Sequence, residues 1–250
     1  MKYLIVFVCA LVAVQGRQLP EYLREFACTR YDPEFEKCVF RGFESARPYF
    51  MKGIPELGLP PMDPFELPVM TVDRTINDLV SIKAVLRNVK MTGARNTVID
   101  YLKADAINGT GEIRLSIPYC DLEMEYDVSG QLLSIPLHSK GYFQGNFTDT
   151  QLYVKGSVRR YQKDGKGEEY FRVGKLNTKI TVGDGHIKLV AKNPELQFGA
   201  DLIANFYNEN PRRVMDAVNP IFVESSNELF RVVMDQILAT LPASEWVPEK

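Results

Sequence analysis

The chain has 250 residues, a formal net charge of −2 and 45% hydrophobic residues, an ordinary globular balance with no bias toward disorder. A nucleic-acid binder carries a basic face or stripe to match the phosphates, so this charge balance speaks against that class of partner.

Met1 and Lys2 precede an apolar run from Tyr3 to Val14. One positive charge followed by about a dozen apolar residues is the layout of a secretory signal peptide. Val14 and Gly16 are small enough to precede a cleavage point, which places the expected cut after Gly16 and leaves 17–250 as a secreted, extracellular chain. The run is shorter than the roughly 20 apolar residues of a bilayer span. No later uncharged segment reaches that length, so stable membrane insertion is not expected.

Secretion has consequences for the cysteines. Cys9 leaves with the leader, and Cys28, Cys38 and Cys120 stay. In an oxidising compartment the close pair Cys28 and Cys38 should form a disulfide, worth roughly 3 kcal/mol in the chain-entropy account. Cys120 then reads as a buried thiol acting as a small hydrophobe, with a reactive or intermolecular thiol as the alternative. The sequons Asn108-Gly109-Thr110 and Asn146-Phe147-Thr148 become candidate glycosylation sites.

Along the chain, Asp32-Pro33 reads as an N-cap and first helical position. Phe35, Cys38, Val39, Phe43 and Ala46 then recur at helical spacing until Pro48. Residues 53–68 hold Pro55, Pro60, Pro61, Pro64 and Pro68 and are expected as a stiff loop, neither helix nor central strand. From Val69 to about Val190 the pattern is β. Ile113, Leu115 and Ile117 alternate with polar residues, Pro118 interrupts as an edge or bulge, and Leu122, Met124, Tyr126 and Val128 resume. Ser129-Gly130, Asp164-Gly165 and Asp184-Gly185 read as turns, the last two of hairpin type. Long strands with one polar face predict a large antiparallel, strongly twisted sheet that curls around something. The C-terminal region supplies it. Leu202, Ile203, Phe206 and Tyr207 have helical spacing, and Asn210-Pro211 restarts a helix. Val214, Val218, Ile221, Phe222, Leu229, Phe230, Val233, Ile237 and Leu241 then form an apolar stripe, with Pro220 as a kink or second start.

Catalytic motifs are missing from this pattern. There is no GxSxG, HExxH or P-loop, and His138 and His186 flank different strands outside any motif. Nothing fits zinc-ligand spacing, and the paired glycines near 109, 165 and 183 lack the full phosphate-cradle pattern. The basic run Lys155, Arg159, Arg160, Lys163 and Lys166 reads as a solvated edge hairpin, where charge blocks strand-on-strand pairing. Asp and Glu pairs need no local motif, so a hydrolase stays open. A secreted chain with abundant apolar strand faces favours binding, with no cofactor or metal called for.

An ordered set of segments carries a family resemblance over nearly the whole mature chain. It comprises Cys28 and Cys38, the stretch Gly53-Ile54-Pro55-Glu56-Leu57-Gly58-Leu59-Pro60-Pro61-Met62-Asp63-Pro64, the stretch Lys140-Gly141-Tyr142-Phe143-Gln144-Gly145-Asn146-Phe147-Thr148-Asp149, and the segment from Ala200 to Asn210 that leads into the long helix. Together these resemble the insect takeout and juvenile hormone-binding proteins. The resemblance implies an α+β fold in one domain: a long C-terminal helix wrapped by a highly curved antiparallel β-sheet of the tubular lipid-binding type, with an internal apolar cavity or tunnel. It implies a monomeric carrier, as in insect haemolymph, for a hydrophobic small molecule: juvenile hormone, another isoprenoid or a fatty-acyl lipid. The hormone carriers proper resemble one another in a second disulfide. Only Cys120 is left here, so this chain looks closer to the takeout branch. A secreted interaction protein with a filled core is the alternative.

The expected inward positions are Leu115, Ile117, Met124, Tyr126, Leu133, Ile135, Leu137, Phe143, Phe206, Val214, Phe222, Phe230, Val233 and Ile237. Each is also a candidate for ordinary core, because periodicity marks a buried face and not a cavity. Tyr119, Tyr126, Tyr142 and Thr178 are candidates for the few polar groups that fix a ligand.

Overall fold

The computed structural model describes residues 18–77, 80–132, 135–163 and 167–249. In chain order it holds helices α1 (Glu21–Arg24) and α2 (Phe35–Lys52), then strands β1 (Phe65–Asn77), β2 (Val80–Thr92), β3 (Val98–Asp105), β4 (Thr110–Leu132), β5 (Ile135–Gln162), β6 (Glu169–Thr181) and β7 (Asp184–Ala191). Helices α3 (Gln197–Glu209), α4 (Pro211–Leu238) and α5 (Ala243–Trp246) follow. The expected leader, Leu133, Lys166 and the Asp164-Gly165 turn lie outside the described residues, as do the side chains of Ile135, Leu137, Val218, Pro220, Ile221 and Phe222.

Helix α2 begins and ends later than its sequence signals imply. Asp32 accepts a hydrogen bond from the Glu34 N–H at 2.7 Å, closing a turn, and the helix opens only at Phe35. Pro48 sits inside α2, which stops at Gly53 with φ 82. Proline forfeits one helical hydrogen bond, but this helix is held from both sides. The Cys28–Cys38 disulfide ties its first turn to the preceding chain, with Cα atoms 5.9 Å apart. Ala46, Tyr49 and Phe50 pack into an apolar cluster farther along. The Pro-rich stretch makes a single 3-10 turn at Pro55–Leu57 and a cis Asp63-Pro64 bond. The expected loop then yields to strand at Phe65, so Pro68 lies in β1. Strand β1 is an edge strand and has no paired residue at Pro68, which is where a missing N–H is tolerated.

All seven strands join one antiparallel sheet. Strands β4 and β5, of 23 and 28 residues, pair along nearly their whole length. Each is flanked by two shorter strands laid end to end. Along β4 these are β3 and β2, and along β5 they are β6 and β7. Two expected turns are therefore corrected. Asp184-Gly185 opens β7, and β6 and β7 both pair with β5 instead of with each other. Ser129-Gly130 stays within β4, held by partners on both sides.

The rows all break at one level. Strand β2 passes to β3 through a 3-10 turn at Ala94–Asn96. Pro118 has no registered partner in β4, and Asp149 opposite it has φ 51. Strand β6 passes to β7 at residues 182–183, where the Gly183 N–H donates to the Thr148 carbonyl at 3.2 Å. Gly93 has φ 106, and a Cβ there would overlap the Tyr119 carbonyl, so this break requires glycine. Across this waist the buried side changes parity. On β4 it runs Ile113, Leu115, Ile117 and then Cys120, Leu122, Met124, Tyr126. On β5 it runs Phe143, Gly145, Phe147 and then Thr150, Leu152, Val154. Consecutive outward positions at the break act as a bulge does, bending the strand and re-aiming the side chains beyond it. The sheet curls into a half-barrel.

Helices α3 and α4 cover the free edge of β7 and β6, and their side chains stand in for a missing strand. Gln197 Oε1 accepts from the Ala191 N–H and its Nε2 donates to the Leu189 carbonyl. Asn208 bonds both backbone groups of Ile187, at 2.8 and 3.0 Å. Arg212 donates to Gly183, Asn219 to Ile180, and Arg231 to Val173 and Gly174, while Asp235 accepts from the Val173 N–H. An open edge would recruit other strands; here polar side chains occupy it.

Candidate ligand-binding interior

Helix α4 is 28 residues long, or about 40 Å at 1.5 Å per residue. Apolar clusters sit at its two ends. Near its start, Ile187, Ala204 and Tyr207 are buried among Phe143, Phe147, Leu189, Val214 and Met215. Near its end, Leu19, Leu23, Ala46, Ile54, Leu57, Ile237 and Leu241 form the larger cluster. Beside the latter, a cleft of about 190 Å³ opens among Leu23, Phe26, Phe43, Phe50 and Trp246. Between the clusters the inner face is different. Ile113, Leu115, Ile117, Leu122 and Met124 of β4 and Leu152 and Val154 of β5 face inward, yet all are only half-buried. Among the described residues, only Ile54 and Leu241 are large side chains under 2% exposed, and both belong to the end cluster. A close-packed core seals its central side chains.

The expected inward positions that are described fall partly on this surface and partly in the end clusters. Leu115 pairs with Leu152, Ile117 with Thr150, and Met124 with Phe143. Tyr126 is buried over Gly141, with its hydroxyl 3.2 Å from Ser139 Oγ. A Cβ at Gly141 would stand 2.8 Å from that hydroxyl, so this glycine makes room for the ring. Phe143 and Val214 pack on the first cluster, Val233 packs on the second, and Ile237 is buried within it. Phe230 lies one turn from Met234 and two from Ile237 on the packed side of α4, yet is 43% exposed. Phe206 is a correction. It is exposed with Phe198 and Leu202 on the side of α3 opposite Ala200, Ala204 and Tyr207, because both faces of this helix are apolar and periodicity cannot rank them. Of the polar candidates, Tyr126 and Thr178 are buried, whereas Tyr119 and Tyr142 are exposed.

Four buried polar groups that the sequence did not single out as ligand contacts lie in the fold. Tyr207 Oη, Asn219 Oδ1 and Asn227 Oδ1 are buried and have no hydrogen-bond partner, and Thr150 Oγ1 has only the weakly bonding Cys120 thiol beside it. Asn219 and Asn227 interrupt the apolar stripe of α4 eight residues apart, a signal available in the sequence. Thr150 could not be found this way, because the waist shifts the alternation just before it.

Tyr207 and Cys120, both buried, stay neutral. Burial, with a smaller contribution from Asp184, pushes the Tyr207 hydroxyl up to about 12. Burial raises the Cys120 thiol too, so this free cysteine is an unreactive small hydrophobe. Hydrogen bonds from Lys155, Lys192 and Lys140 hold Glu112, Glu125 and Asp127 below the usual carboxylate range. In the basic run, Lys155 pairs with Glu112 and Arg160 with Glu169, but Lys155 lies in β5 between β4 and β6, so the run is not wholly on an edge as expected. His138 and His186 are exposed on separate strands. Both sequon asparagines are exposed: Asn108 in the β3–β4 turn, and Asn146 on β5, where its amide donates to Tyr119 and Asp121. Among the described residues no helix is long and apolar enough to cross a membrane.

The sequence profile described as haemolymph juvenile hormone binding protein matches residues 4–248. The chain belongs to that family. Among its relatives are the circadian clock-controlled proteins daywake of Drosophila yakuba, 23% identical over 220 residues, and of Drosophila melanogaster, 22% identical over the same length. Each alignment covers 84% of this chain and 83% of the relative. The crystal structure of Epiphyas postvittana Takeout 1 superposes with a TM-score of 0.66 at 22% identity, covering 89% of this chain and 99% of that one. This establishes the juvenile hormone binding protein fold: a curled antiparallel sheet closed by a C-terminal helix.

Proposed function

We propose that this chain is a secreted carrier that holds a hydrophobic small molecule, an isoprenoid such as juvenile hormone or a fatty-acyl lipid, between α4 and the curled sheet. The observation that carries this reading is the half-open inner face, on which central apolar side chains are less buried than those of the end clusters. The energetics suffice. Each buried methylene contributes about 0.8 kcal/mol, so a dozen carbons offer roughly 10 kcal/mol before costs. Micromolar to nanomolar binding needs about 8–12 kcal/mol. Organic-solvent extraction of the purified protein should release a lipid, and a fluorescent fatty acid should bind and be displaced. An empty extract with no probe binding would overturn the reading. One feature favours a second reading, a secreted interaction protein. Phe198, Leu202 and Phe206 are 80%, 62% and 52% exposed on one face of α3. Concentration-dependent self-association, or a captured protein partner without any lipid, would support it.

A further inference from the structure

We propose that the outer face of β4, β5 and β6 beyond the waist docks a sulfated polysaccharide. This goes beyond the carrier reading and shares with it only the expectation of secretion. The long strands allow the two halves of the outer face to be compared. Before the waist, outward charges are matched across strands: Glu125 faces Arg87, Glu123 faces Lys90, and Asp127 faces Lys140. Beyond the waist this matching fails. Arg159 stands directly opposite Arg172, although like charges so placed destabilise a sheet. Arg114 and Lys179 flank Tyr153 from either side, and Lys175 lies at the register shift between that row and the arginine pair. These five cations are exposed, and none has a carboxylate partner among the described residues. The nearby acids are engaged elsewhere: Glu112 with Lys155, Asp100 with the Ser116 hydroxyl, and Asp105 with the N–H groups of Ile107 and Asn108.

The stripe runs about 23 Å along β6 from Arg172 to Lys179 and about 10 Å across, two strand spacings. A chain of net charge −2 that gathers unpaired cations on one face presents a polyanion with a local field that its net charge hides. Three observations choose among polyanions. Guanidinium forks grip tetrahedral oxyanions through paired hydrogen bonds, which suits sulfate groups. Among the described residues no exposed large apolar side chain lies on β6 or on β5 beyond the waist, so nothing there enters a bilayer. The tyrosines are half-buried under cations. Arg172 lies 5.6 Å from the centre of the Tyr161 ring, and Lys103 lies 5.7 Å from that of Tyr101. The stripe therefore lacks the open rings on which nucleic-acid bases stack.

The test passes the mature protein over immobilised heparin at neutral pH. Wild type should be retained at about 0.15 M salt and released by more, whereas desulfated heparin should not retain it. Arg159→Gln combined with Arg172→Gln should weaken binding at least about tenfold, for the loss of two charge-assisted contacts. It should also make the plot of log affinity against log salt shallower by about two. The same variant should unfold at an equal or higher temperature, because it relieves the like-charge pair, and should bind a fluorescent fatty acid as wild type does. Arg87→Gln combined with Lys90→Gln makes the same change in net charge before the waist and should leave heparin binding unchanged. Wild type that is not retained, a double arginine variant retained in full, or an equal loss in the control pair overturns the proposal. Tighter binding to phosphatidylserine vesicles or to single-stranded DNA than to heparin overturns it too, and assigns the face to a membrane or a nucleic acid. The carrier reading stands in each of these outcomes, because lipid displacement tests it separately.

Discussion

Asp63 offers a test of how the waist is held. Its side chain is 1% exposed, and its Oδ2 accepts from Arg95 Nε at 2.8 Å and from the Arg95 N–H at 2.9 Å. These bonds tie the loop after α2 to the turn that separates β2 from β3. Burial alone would raise the carboxyl pKa, but the hydrogen bonds and charge of Arg95 outweigh it and hold the group below its usual range. Asp63→Asn keeps the shape and removes the charge. Hydrogen bonds to a charged group contribute about 1.5–3 kcal/mol. The Arg95 side chain is 65% exposed, so solvent screening favours the low end, about 1.5–2 kcal/mol. For a domain of this size that shifts Tm by roughly 3–8 °C. The sign with pH follows from the lowered pKa. The contribution is complete above the unfolded carboxylate value, about 3.9, and is lost as pH falls through the folded one. Thermal unfolding of both proteins should therefore show a full gap at neutral pH that narrows below about pH 4. A gap under 1 °C at neutral pH, on the scale of roughly 2–4 °C per kcal/mol, would refute the reasoning, as would a gap that stays constant down to strongly acid pH.

Tyr207→Phe removes a buried hydroxyl that has no partner and should raise stability by about 1 kcal/mol in denaturant unfolding; a loss of that size would reveal a hidden partner. Asn208→Ala deletes both bonds to Ile187; it should cost about 1–3 kcal/mol and increase aggregation on heating, measured by light scattering, because the β7 edge is uncovered. Leu115→Phe adds bulk to the inner face. In a filled core it would cost about 1–3 kcal/mol, whereas the half-open interior predicts an unchanged Tm and at least tenfold weaker probe binding. Cys28→Ser should cost about 3 kcal/mol, seen as a lower urea midpoint, and adding reductant to wild type should reproduce it.

The local chemistry of this protein was legible in its residues. Alternation marked the β region, the Asn210-Pro211 pair marked the start of α4, and the spacing of Cys28 and Cys38 marked the disulfide. Pro118 announced an interruption. The ordered family segments then named the architecture, which periodicity does not reach, since an amphipathic strand specifies a buried face without saying what lies across it. Apart from Phe206, where α3 is apolar on both faces, the failures share one cause, that long-range partners override local signals. Pro48 is carried inside α2 by tertiary packing, Ser129-Gly130 is kept extended by strands on both sides, and Asp184-Gly185 leads into β7 because β5 pairs both strands.

By itself the sequence determined which residues are apolar, which stretches are regular, and the period on which each buries a face. The tertiary structure decided the rest. Only the alignment of four separate breaks makes a waist, and only the waist turns Thr150 inward. Whether an apolar face meets a packed neighbour or an open interior depends on distances between elements, set by how far the sheet curls. Local pattern carries no information about that curvature, because it arises from bulges and edge contacts summed over the whole sheet.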